Sequence, residues 1–226
     1  MVRNVATHVD APPKVRRELT PLTGGQVRQL LDSSRADRLA ALYVVAVGLG
    51  MRQGELLGLR WSDVDLDAGL LSVRHTLQRR TYLLADPKTE RGRRTLAMPE
   101  VVKFALREHR RLQVAERLAA GPQGWHERDL VFTTTRGTAL DTRNVARALQ
   151  AALERACLPR VTFHSLRHAC ATLLIEHGEE LAVVSRLLGH ANLSTTADVY
   201  AHLTRGMQQR AADRMDAVLR RPVANT

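Results

Sequence analysis

The pattern of apolar and polar positions reads as helix over most of the chain. Thr23-x-x-Gln26 is a capping box that opens a first helix running to about Ser33. A second, strongly apolar helix spans residues 36–48, and a short helix follows Gly50 with Arg52 at its N-terminal end. Between residues 69 and 98 the period drops to two. Gly69–His75, Thr81–Ala85 and Arg94–Met98 read as a three-stranded antiparallel sheet. Pro99, in a first-turn position, starts a long helix to about Ala120, and residues 121–126 form a loop. Asp141 opens the next helix, to about Ala156, and Pro159 interrupts the chain before a helix around residues 162–169. Leu181–Leu188 is helical, with Gly189 as its C-cap. Ser194–Asp198 starts another helix, with Thr195 as N-cap and Asp198 at the third position, so that Tyr200 falls in its second turn. After Gly206, an apolar stripe of Met207, Ala211, Met215 and Val218 marks a last helix over 206–220. Residues 1–19, basic and proline-containing, show no such period and read as a linker or tail. The expected fold is mainly α with a small three-stranded antiparallel sheet (α+β), in one domain over 20–226.

Charge changes the picture more than composition does. The chain has 226 residues and a formal net charge of +11, nearly all of it from arginine, since Lys14, Lys88 and Lys103 are the lysines. Guanidinium forks suit phosphate, so an extended anion such as double-stranded DNA is the expected partner. Cys157 and Cys170 are too few for a disulfide framework and lack metal-ligand spacing. The longest apolar run, Leu39–Met51, is too short to cross a bilayer, and no signal peptide precedes it. A cytoplasmic protein without membrane attachment is expected.

The chemistry concentrates near the C-terminus. His164, Arg167 and His168 lie at i, i+3 and i+4, on one face of a helix. His190 follows the Gly189 bend, and Tyr200 comes ten residues later. An arginine and histidines facing a tyrosine point to phosphate chemistry by a phenolic nucleophile. The phosphate requires bidentate cations, and a phenol of pKa about 10 requires help. Upstream, Arg52 and Glu55 are helix neighbours, so the carboxylate can hold the guanidinium or a nearby histidine. Taken alone, that pair reads more readily as a surface ion pair.

His164-x-x-Arg167-His168, Leu188-Gly-His190 and Tyr200-x-His202 resemble the C-terminal boxes of the tyrosine recombinases, the phage integrase family, in type, order and spacing. Arg52 with Glu55, and the hairpin Asp86-Pro-Lys88-Thr-Glu-Arg-Gly-Arg-Arg94, resemble that family's two upstream boxes. Gly92 stands where the family usually carries serine. The resemblance implies that Arg52, Lys88, His164, Arg167, His190 and Tyr200 are catalytic, with Glu55 and His168 in support and Tyr200 as nucleophile. It implies metal- and ATP-independent strand transfer through a 3′-phosphotyrosine, without cofactor. It further implies a tetramer on DNA joined through the C-terminal helix, accessory DNA-bending or directionality factors, and a nucleoid-associated role in a prokaryote or phage. Family members usually carry an N-terminal DNA-clamping domain, which is absent from this chain. The alternatives are type IB topoisomerase-like relaxation, Xer-like dimer resolution, a DNA-binding relic, and a metal hydrolase built on His164 and His168.

Overall fold

The computed structural model describes residues 21–78, 83–85, 92–190, 212, 213 and 215. The linker expected at 1–19, the Lys88 turn, the Tyr200 segment and most of the last helix lie outside the described residues. α1 (Gly24–Ser33) begins at the Thr23 capping box, whose side chain accepts from the Gln26 amide while Gln26 returns a bond to the Thr23 amide. α2 (Ala40–Leu49) is apolar on every side, and such a helix is stable only when enclosed. It lies between the helices Glu100–Gly124 and Phe163–Glu176 and carries Leu42, Tyr43 and Val45 with no exposed surface. It starts later than its pattern suggests, because residues 34–39 are spent on turns. The Ser34 hydroxyl donates to the Leu30 carbonyl, and the Asp37 amide donates to the Ser34 carbonyl.

α3 (Gln53–Leu57) leads through a 3-10 turn at Trp61–Asp63 into the sheet. The three-stranded antiparallel sheet is present with a different membership from the expected one. β1 (Val64–Asp65), β2 (Leu70–Val73) and β5 (Arg94–Ala97) form it in the order β1-β2-β5. β4 (Leu84–Ala85) pairs instead with β3 (Thr76–Leu77) as a separate two-stranded ribbon. Burial selects this arrangement. In the register Leu71↔Leu96 the two leucines share the core face, and Val73 joins them there, whereas Leu84 and Ala85 are only half-buried.

α4 (Glu100–Gly124) uses Pro99 as its N-cap rather than as its first helical residue, and Gly121, at φ 68° and ψ 176°, breaks the helix where the expected loop begins. Its inward face includes polar groups. His109 Nε2 bonds the Val131 carbonyl at 2.8 Å, with the ring against Phe132. The Gln113 amide donates to the Leu130 and Val131 carbonyls and accepts from the Trp61 indole at 2.6 Å. α5 (Thr142–Arg155) is capped by Asp141, whose carboxylate accepts from the Arg143 and Asn144 amides. α6 (Phe163–Glu176) is capped by Thr162, and α7 (Leu181–Leu188) packs on α6 through Ala171, Ile175, Val184 and Leu188. Ala212, Asp213 and Met215 are helical and exposed, within the span expected for the last helix. Among the described residues, no helix is long and apolar enough to cross a membrane.

Candidate active site

The site is assembled on the C-terminal end of α7. Gly189 adopts the left-handed conformation at φ 66°, and the His190 amide donates to the Ser185 carbonyl, closing the helix and turning His190 outward. Three arginines from three other segments grip consecutive carbonyls of this end. Arg94 Nε donates to Leu187 O at 2.7 Å, Arg167 Nη2 to Leu188 O at 2.7 Å, and Arg52 Nη2 to Gly189 O at 3.1 Å. The last turn of a helix carries partial negative charge and orphan carbonyls, so it is a favourable seat for cations.

Arg167 comes from the second turn of α6 and is 3% exposed. Its Nη1 donates to the carbonyl of Gly50, the left-handed C-cap of α2, at 2.8 Å. One guanidinium therefore ties the ends of α2 and α7 together and forms the floor of the site. Gly50 is required there twice over. Its φ is 58°, and a Cβ would lie 2.7 Å from Leu188 Cδ2.

Arg52 is the N-cap residue of α3, with its side chain 42% exposed at the mouth. Glu55, 4% exposed, accepts from the Arg52 amide at 2.9 Å and from its Nη1 at 2.8 Å. Arg94 takes the same carboxylate, at 2.9 Å to Oε2 and 3.2 Å to Oε1. Burial alone would push Glu55 up, but its bonds to Arg94 and then Arg52 outweigh that and hold it below the usual carboxylate range. Glu55 thus holds the Arg52 guanidinium, one of the two roles its spacing suggests. The His168 ring meets the His164 ring edge-on, with centroids 4.7 Å apart.

His164 is exposed at the mouth and His190 is half-buried. Both are drawn down to about 4. For His164 the causes are desolvation against the packed wall, then His168, Arg167 and Arg52; for His190 they are desolvation, then Arg167 and Arg52, then the two other histidines. His168 is lowered in the same way by burial and Arg167. At neutral pH these rings are uncharged. A neutral His164 can accept a proton, and a neutral imidazole still offers one N–H as a donor. A groove of about 890 Å³ opens from Arg52 and His164 along Gln53, Gln150, Arg160 and Leu22. Among the described residues, no three His, Cys, Asp or Glu side chains are grouped as a metal cage requires.

Of the residues expected from the sequence, Arg52, Glu55, His164, Arg167, His168 and His190 are brought together here. Lys88 and Tyr200 lie outside the described residues. Tyr43 is fully buried and its phenol is pushed up to about 12 by burial and then by Asp37, as befits a core residue. Arg94 was passed over as a site residue. The signal was present, since it closes the Lys88 hairpin motif, but nothing in a strand pattern says that its side chain turns toward Glu55.

The profile of the phage integrase family matches residues 21–207. A tyrosine recombinase XerC-like protein of Caldanaerobacter subterraneus subsp. tengcongensis is 36% identical over 203 residues, 84% of this chain and 52% of that one. An integrase of Streptomyces ambofaciens is 34% identical over 97% of this chain and 58% of its own. The chain therefore spans about half the length of these relatives. Among solved structures, the XerA recombinase superposes with a TM-score of 0.70 at 26% identity, covering 85% of this chain and 65% of that one. The Tn1549 transposon integrase, determined in complex with circular intermediate DNA, shares the fold with a TM-score of 0.72 at 23% identity, over 88% and 68% of the two chains. With its profile matched over most of its length and its relatives above 30% identity, the chain belongs to the phage integrase family of tyrosine recombinases.

Proposed function

We propose that the chain is the catalytic part of a site-specific DNA recombinase that cleaves and rejoins DNA through a 3′-phosphotyrosine. The observation that carries this reading is the convergence of Arg52, Arg167, His164 and His190 from three segments on one open, cationic site. The substrate is double-stranded DNA, in keeping with the net charge of +11 and with the DNA in the Tn1549 integrase complex.

In this mechanism the Tyr200 oxygen attacks the scissile phosphorus and the bond to the 5′-oxygen breaks. His164 accepts the phenolic proton and Lys88 donates one to the leaving 5′-oxygen. Arg52 and His190 donate to the non-bridging oxygens as charge builds on them, and Arg167 supplies positive charge from the floor. Rejoining is the reverse attack by a 5′-hydroxyl, which takes the phosphoryl group from Tyr200 and returns its proton. No step consumes a nucleotide. Four copies act together on DNA, joined through the helix at 206–220, with DNA-bending or directionality proteins as accessories and the nucleoid as the place of action.

The test is covalent capture. The chain is incubated with a library of nicked duplexes, and SDS-resistant adducts are isolated, sequenced and mapped by mass spectrometry. Adducts are expected on Tyr200, with one DNA sequence enriched, and Tyr200→Phe should bind that DNA yet form none. Adducts at wild-type level in the variant would overturn the assignment. Ligation of strands between two different duplexes separates recombination from simple relaxation.

A further inference from the structure

Arg94 differs from the other two arginines on the α7 end. Its side chain is 8% exposed, and every nitrogen is engaged by protein: Nε with Leu187 O, Nη1 with Glu55 Oε1 and Gly92 O, and Nη2 with Glu55 Oε2. It has no face to offer a substrate. What it does have is a place at the junction of the two segments that present donors at the site. Through Glu55 it holds the carboxylate that fixes both the amide and the guanidinium of Arg52. Through Leu187 O it holds the last turn of α7, three residues before His190.

We propose that Arg94 is a positioning residue for phosphoryl transfer: it locks Arg52 and His190 into one cradle for the non-bridging oxygens, without touching the DNA. The proposal rests on the recombinase reading above. Its physical basis is the planar fork. A guanidinium can bridge a carboxylate edge and a carbonyl at once, whereas an ammonium is a point charge and cannot hold both in fixed directions. Without the bridge, Glu55 keeps Arg52 and Arg52 keeps Gly189 O, but the hold on Leu187 O is lost, and the two halves of the cradle are joined less firmly, through a half-exposed side chain. Misplacing a phosphate donor by about 1 Å costs about 10²-fold in rate.

The experiment compares wild type, Arg94→Lys and Arg94→Gln on the captured DNA sequence, in single-turnover cleavage of nicked suicide duplexes. Three scissile groups are used: the natural phosphodiester, a neutral methylphosphonate and a 5′-bridging phosphorothiolate. Thermal melting and equilibrium DNA binding are measured in parallel. Arg94→Lys keeps a positive charge against the buried Glu55, so it carries the test if Arg94→Gln does not fold. Arg94→Lys is expected to bind DNA within about threefold of wild type while cleaving the phosphodiester about 10²-fold more slowly. The deficit should shrink on the methylphosphonate, which places less charge on the cradle, and persist on the phosphorothiolate, which relieves only the leaving group. Cleavage by Arg94→Lys at the wild-type rate would overturn the proposal. So would an equal deficit on all three substrates, the mark of a general structural loss. A wild-type chain that forms no adduct on any duplex would instead defeat the recombinase reading, and the Arg94 role with it.

Discussion

Residues in the site are graded by how much water they keep. Arg167 sits in the floor with its charge solvated by helix-end carbonyls, Arg52 stands half-open above it, and His164 faces the solvent. This gradient lets buried charge act on an incoming phosphate while the proton-transfer groups remain reachable. Lys88 belongs to the same scale. Under the proposed reading it is the general acid for the leaving 5′-oxygen. Lys88→Ala should therefore slow cleavage of ordinary DNA by about 10²–10⁴-fold. A 5′-bridging phosphorothiolate should restore most of that loss, because a thiolate leaves without a proton. Arg52→Ala should not be restored, since its partner is a non-bridging oxygen. Equal restoration of both variants would contradict the division of roles.

Among the elements, α7 is the one on which the site depends. Eight residues long, it holds its position through its core contacts with α6 and through the arginines on its last carbonyls. The segment that follows leads to Tyr200, so the same grip sets where the tether of the proposed nucleophile begins. Further on, Met215, one residue of the expected apolar stripe, is helical and 55% exposed, and the proposed use of that stripe is docking on a neighbouring copy. A chain ending at Arg205 should therefore fold as a monomer and cleave single sites, yet fail to pair two sites. Native gels of paired duplexes and melting curves check this together. Unfolding of the shortened monomer would show that the helix packs on its own domain, and normal pairing would show that it is dispensable.

Among the described residues, four histidines are held below their ordinary range: His109 by burial in the α4 network, and His164, His168 and His190 by burial and neighbouring cations. The unfolded chain binds these protons first, at about pH 6.5, so it is the favoured proton acceptor as pH falls. Stability is complete above that window and declines below it. The urea midpoint should drop between pH 7.5 and 5.5, before the carboxylates titrate. His109→Gln, whose amide can still donate to the Val131 carbonyl, should flatten the decline. A midpoint that does not move over this range would refute the account. Glu55 works in the opposite sense. Its depressed pKa contributes stability above the unfolded carboxylate range, and that is lost only at lower pH.

Much of this molecule is determined locally, and those parts are legible in the chain. The capping box at Thr23, the αL glycine at 189 and the i, i+3, i+4 spacing of His164, Arg167 and His168 each depend on a few neighbouring residues. The helices, the Arg52–Glu55 pair and the candidate catalytic set follow from such short-range rules together with the family's spacing. Sheet membership was not local. Whether 84–85 or 64–65 joins Leu70–Val73 depends on which pairing buries Leu71 and Leu96 against the helices, a choice made only when the layers close. Nor could spacing show that Arg94 turns toward Glu55, or that Arg52, Arg94 and Arg167 meet on consecutive carbonyls of α7. These contacts join residues far apart in sequence. They exist because a charge at the junction of α3, β5, α6 and α7 is costly unless carboxylate and backbone oxygens from the neighbouring elements meet it.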